Sequence, residues 1–128
     1  VALSLIYSAG VVVFELLSRT LTLTGNPWMW IAFPYAPVIE ELVFRGFIFS
    51  KLQKLTGTVQ TILLTSVLFT LIHFPGWIFI LGLKGEAFIA VTGQVFIFSL
   101  IQGVIRYYSK SVYPNILVHL VNNFFLLW

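Results

Sequence analysis

Apolar residues fill this chain in long blocks, and the few polar breaks between them predict five apolar segments. The first spans about Val1 to Leu23. It is interrupted by Glu15 and Arg19, four residues apart and able to neutralise each other on one helical face. Gly25-Asn26-Pro27 is a turn signal, and Trp28 and Trp30 after it suit the aromatic belt of a membrane interface. The second segment runs from about Pro34 to Leu55, with Pro34 and Pro37 at a helix start, where the missing N–H is harmless. The third, about Thr58 to Phe74, reads as uniformly apolar until His73, and Pro75-Gly76 breaks or kinks it. The fourth covers about Glu86 to Tyr107, with Gln94 and Gln102 as structural hydrogen-bonders. The fifth starts near Pro114 and carries His119, Asn122 and Asn123 on to Trp128.

Loop charges assign a topology to these segments. Lys51 and Lys54 follow segment two, and Arg106 and Lys110 follow segment four. The intervening loop holds Lys84 and Glu86, and the loop after segment one is uncharged. Alternate connections are thus basic, which places those two on the cytoplasmic side. Composition agrees with a membrane setting. Only 9% of residues are charged and mean hydropathy is +1.02, whereas soluble domains carry about 25% charged residues. The expected fold is all-α: a polytopic transmembrane bundle of about five segments around a buried polar site. It forms a single membrane domain over 1–128, in a cell inner (plasma) membrane. Because the chain begins at Val1 and not Met, helices upstream are allowed for. The net charge of +3 is scattered between apolar segments and forms no nucleic-acid patch. Cysteine is absent, so there is neither a disulfide framework nor a thiol nucleophile.

Ionisable groups inside such segments are expensive and point to function. In Glu40-Glu41-Leu42-Val43-Phe44-Arg45, Glu41 and Arg45 are four apart and pair on one face. Glu40 is rotated about 100° away and is left free for chemistry. If Pro37 is near the first helical position, both carboxylates meet the free N–H groups and the positive end of the helix dipole. Two further four-residue pairs share faces: Phe69/His73 and His119/Asn123. Counted from the cytoplasmic ends at about 1.5 Å per residue, Glu40, His73, His119 and Asn123 lie roughly 13–22 Å deep, within a hydrocarbon core of about 30 Å. Buried polar groups need partners, so the economical arrangement is one polar cluster where three helical faces meet. A carboxylate beside a histidine can hold and deprotonate water, and a second histidine and an amide can donate to an oxyanion. Other intramembrane hydrolases are excluded: there is no Asp for an aspartyl dyad, no HExxH, and no Ser two residues after a Gly.

The three motifs resemble EExxxR, FxxxH and HxxxN of the intramembrane protease family that includes type II CAAX prenyl endopeptidases and bacteriocin-processing or immunity-type proteins (CPBP or Abi). Here they read Glu40 to Arg45, Phe69 to His73 and His119 to Asn123, with Phe44-Arg45-Gly46 and Ser111 to Leu117 matching as flanks. The resemblance covers about Pro34 to Asn123. It implies an endopeptidase acting on a membrane-associated peptide or protein, with the lipid bilayer and no nucleic acid as partners. Glu40 and His73 would activate water, His119 and Asn123 would stabilise the oxyanion, and Glu41, Arg45 and Phe69 would support the site. No metal is assigned. Zinc is the alternative, with Glu40, His73 and His119 as ligands and water as the fourth. The second functional reading is a non-catalytic membrane adaptor or bacteriocin-immunity protein on the same scaffold.

Overall fold

The computed structural model describes residues 35–127, and within them the chain forms four helices and no strand. Helix α1 (residues 35–52) is α-helical at first, widens to a π-helix over Leu42–Ile48 and closes with an α-turn at Phe49–Leu52. The Phe49 N–H reaches back five residues to the Phe44 carbonyl. Such π-turns occur often at functional sites, and this one holds Arg45. Helix α2 starts at Thr58 and is α-helical to Leu71. It is extended by a π-turn over Gly76–Ile80. Helix α3 is Gly85–Ser109 and helix α4 is Tyr113–Leu127.

The expectation of about five membrane segments is not met. Two helices among the described residues, Thr58–Ile80 and Gly85–Ser109, are long and apolar enough to cross a membrane. The physical reasons are charge and length. Helix α1 carries Glu40, Glu41, Arg45 and Lys51 within one short run. Helix α4 has 15 residues, about 22 Å of rise, short of a hydrocarbon core of about 30 Å. The first apolar segment, with Glu15 and Arg19, lies outside the described residues, as do Trp28 and Trp30. The expected break or kink at Pro75-Gly76 is seen as the end of regular α-helix at Leu71 and a turn at Ile72-His73. The Trp77 N–H still bonds the His73 carbonyl at 3.0 Å across the proline, so α2 continues to Ile80.

Helix α2 is inside-out relative to a helix in water. Its packed face is Thr61, Thr65, Ser66, Phe69 and Thr70, while Val59, Leu63, Leu64, Val67, Leu68 and Leu71 are exposed. Two of the buried hydroxyls are satisfied on their own helix, Thr65 Oγ1 donating to Thr61 O (2.7 Å) and Thr70 Oγ1 to Ser66 O (2.9 Å), whereas Thr61 Oγ1 pairs with Thr56 Oγ1 (2.9 Å) and Ser66 Oγ has no hydrogen-bond partner among the described residues. Small residues inward and aliphatic residues outward is the pattern of helices packed in lipid. It lets α3 approach closely at Gly103, where a Cβ would stand 2.9 Å from Ile62 Cγ2. Because Cγ2 sits on a stiff β-branched side chain, Gly103→Ala is expected to destabilise by about 1–3 kcal/mol, as overpacking does. Thermal unfolding in detergent reads this, and an unchanged midpoint would show that the α2–α3 contact yields without penalty.

Helix α4 is fastened to α3 by a buried carboxamide pair. Asn115 Nδ2 donates to both Gln102 O and Gln102 Oε1 at 2.7 Å, and Gln102 Nε2 donates to Asn115 O at 3.1 Å. Gln102 thus takes the structural role expected of it. Asn115 lies one turn before His119, so this clamp sets the face that α4 presents. At the same end, Arg106 of α3 donates from Nε to Arg45 O (2.9 Å) and from Nη2 to Ser50 Oγ (3.3 Å). Between α2 and α3 the chain turns through Gly82 and Gly85, both at positive φ (63° and 54°), a conformation that glycine adopts without a Cβ clash.

Candidate active site

The consecutive carboxylates of α1 go to different surroundings, as their 100° offset requires. Glu41 is fully buried and Glu40 is partly open, its side chain 25% exposed. Glu41 Oε1 accepts from Arg45 Nη1 at 3.1 Å, the expected four-residue pair, and also from His119 Nδ1 at 2.9 Å. The second bond was not legible in the motif spacing, because it joins residues 78 positions apart.

Arg45 is buried and shared among helices. Its Nη2 donates to Ser99 Oγ (2.8 Å) and Ser99 O (3.2 Å) on α3, and its guanidinium lies 4.4 Å over the Phe69 ring. Ser99, Arg45, Glu41 and His119 therefore form one line of contacts across α3, α1 and α4. Phe69 is its packing centre, touching Phe44 edge-on at 5.1 Å, His73 at 4.9 Å and His119 at 5.9 Å between centroids.

Hydrogen-bond chemistry fixes the tautomer of both histidines. A backbone carbonyl only accepts, so His73 Nδ1, 2.8 Å from Phe69 O, carries the hydrogen and Nε2 is left bare. His119 Nδ1 likewise donates to the Glu41 carboxylate, which turns Nε2 towards Glu40 Oε2 at 3.8 Å. That distance is too long for a direct hydrogen bond. Aromatic walls hold the rings: His73 lies 5.4 Å from Trp77 and His119 5.0 Å from Phe98.

Glu40 from α1, His73 from α2, and His119 and Asn123 from α4 all line one cavity of about 250 Å³. The four candidates are thus brought together. Glu41, Arg45 and Phe69 form the wall behind them. A fourth helix joins the three that the motifs name, since Val91, Gln94, Val95 and Phe98 of α3 form the opposite lining. Sequence reasoning missed this wall, together with Trp77, Ser99 and Asn122. The available signal was the i, i+3, i+4, i+7 spacing of Val91, Gln94, Val95 and Phe98, which puts one glutamine on an otherwise apolar face. Among the described residues no three His, Cys, Asp or Glu side chains stand together as a metal-holding group.

The described residues are all-helical, place a buried Glu–His pair beside a polar cavity and include two helices long and apolar enough to cross a membrane, which is consistent with an intramembrane hydrolase. Residues 22–125 match the family model described as type II CAAX prenyl endopeptidase Rce1-like, and the chain belongs to that family of endopeptidases. No curated protein and no solved structure matches it. It is an integral membrane protein whose substrate is membrane-associated.

Proposed function

We propose that this endopeptidase cuts a peptide bond of a membrane-associated peptide or protein inside the cavity, by direct attack of water. Glu40 takes a proton from the water while the bare Nε2 of His73 accepts its other hydrogen, holding the oxygen for attack. The carbonyl carbon becomes tetrahedral and its oxygen becomes the oxyanion. Asn123 donates to that oxygen from its amide, and His119 donates from Nε2 in the form that carries a hydrogen on both ring nitrogens before the water attacks. Glu41 at Nδ1 is the counter-charge of that form of His119, as the carboxylate is in other carboxylate–histidine pairs. Glu40 then returns its proton to the departing amine. The observation that carries this reading is the convergence of Glu40, His73, His119 and Asn123 on one cavity from three helices.

The reading needs no resident metal. Activity that survives exhaustive chelation supports it, whereas activity lost to chelator and restored by zinc would make Glu40, His73 and His119 the ligands. The protein is read as multi-pass in a plasma membrane, with Lys51, Lys54 and Lys110 facing the cytoplasm. The bonds of Arg106 to α1 support a common side for these basic turns. Comparing the termini of membrane proteins in cells carrying wild type or Glu40→Gln tests the function. New termini that require Glu40 are expected. Identical terminal profiles would favour the non-catalytic adaptor.

A further inference from the structure

We propose that Gln94 is a substrate-binding residue, its carboxamide pairing with the backbone of one residue of an extended substrate segment beside the scissile bond. This rests on the endopeptidase reading above and names how that site holds its substrate. Gln94 stands near the middle of α3, a helix suited to span a membrane, where a polar side chain is costly without a partner. The other polar side chains of the inner part of α3 are satisfied within the protein. Thr92 Oγ1 donates to Phe88 O at 2.7 Å, Ser99 binds Arg45, and Gln102 binds Asn115. Gln94 makes no hydrogen bond among the described residues. It is exposed, and part of its exposure is to the cavity. With Val91, Val95 and Phe98 it makes the i, i+3, i+4, i+7 stripe that lines the cavity facing Glu40 and His73.

The chemistry of the side chain selects the ligand. A carboxamide offers one accepting oxygen and a donating NH2. In an extended chain the N–H and C=O of one residue point to the same side, as in a hydrogen-bonded antiparallel pair. Gln94 can therefore accept from that N–H and donate to that C=O, completing half of a β-type pairing from a helix. A helical segment has both groups engaged internally, so this contact demands that the substrate be unwound where it is cut. The residue contacted is not the one that becomes tetrahedral, so the bond is equally strong before and during reaction. Its loss raises KM and leaves kcat alone.

The test uses the full chain in nanodiscs and an internally quenched, S-farnesylated peptide as probe. A set of analogues replaces one backbone N–H at a time by an ester oxygen, away from the scissile bond. Gln94→Met keeps length and shape but removes both hydrogen-bonding groups. KM is expected to rise about tenfold with kcat within about twofold. One ester position is expected to weaken wild type by about tenfold and to leave Gln94→Met no worse than its parent value. An unchanged KM for Gln94→Met, or equal ester penalties in both proteins, overturns the role of Gln94. Should Gln94→Met fail to accumulate, the ester series on wild type alone decides, and a flat series overturns the proposal. Absence of Glu40-dependent cleavage by wild type is a different result, which overturns the endopeptidase reading itself and the Gln94 contact with it.

Discussion

Glu40→Gln should leave the protein at its normal level in the membrane and slow peptide hydrolysis by at least about 100-fold, the lower end of what a positioned general base contributes. The two halves of this expectation come from the same geometry. Glu40 is partly open to the cavity, and its nearest cation-capable neighbour, His119 Nε2, is 3.8 Å away. Removing its charge strands no buried partner, so folding has little reason to suffer. Its place on the cavity shared with the bare Nε2 of His73 is where water must be deprotonated, so turnover has every reason to. His73→Ala should reduce kcat/KM by a comparable factor. The double variant should be little worse than either single one, because residues that act as a unit are not additive. Kinetics on the quenched peptide with quantitative immunoblots of the membrane fraction reads both halves. A Glu40→Gln protein keeping more than about a tenth of wild-type turnover would remove Glu40 from the base role.

The sequence was legible where function is written in short-range spacing. Glu41 with Arg45, and the shared face of Phe69 and His73, both follow from four residues making about one turn. The bounds of α3 also follow closely, because an apolar run ends where Lys84 and Lys110 flank it. Contacts made across helices left no such trace. Nothing in the spacing says that Glu41 holds His119 as well as Arg45, or that Arg45 is anchored on Ser99. These pairings depend on how α1, α3 and α4 are rotated against one another, and the contacts that hold that rotation are the Gln102–Asn115 clamp between α3 and α4 and the bonds of Arg106 on α3 to Arg45 O and Ser50 on α1. Segment three misled for a different reason. Its threonines and Ser66 are small, and averaged with leucine and valine they vanish into an apolar run. In lipid they are the inward face, since aliphatic side chains gain nothing by leaving hydrocarbon. Counting spans by hydrophobic runs overcounted at α1, which carries Glu40, Glu41, Arg45 and Lys51, and at α4, whose described helix has 15 residues.

Arg45→Met is expected to be the most damaging single substitution to stability, at about 3–5 kcal/mol, the range seen when one partner of a buried ion pair is removed. The guanidinium answers three demands at once: the charge of Glu41, the hydroxyl and carbonyl of Ser99, and the face of Phe69. Methionine fills the volume but leaves the Glu41 carboxylate buried with His119 as its remaining hydrogen-bond partner. Lysine is no substitute, because a single ammonium lacks the planar fork that serves Glu41 and Ser99 together, so Arg45→Lys should recover only part of the loss. Adding Glu41→Gln to Arg45→Met removes the stranded charge and should restore stability towards that of wild type, since a buried pair replaced as a unit is often neutral. Activity should not return with it. A neutral amide at position 41 is no counter-charge for His119, so the restored protein would be folded and slow. Thermal unfolding in detergent, set beside kcat/KM for the three variants, separates the two roles. Equal unfolding midpoints for Arg45→Met and the double variant would mean that the carboxylate of Glu41 is not what the guanidinium holds in place.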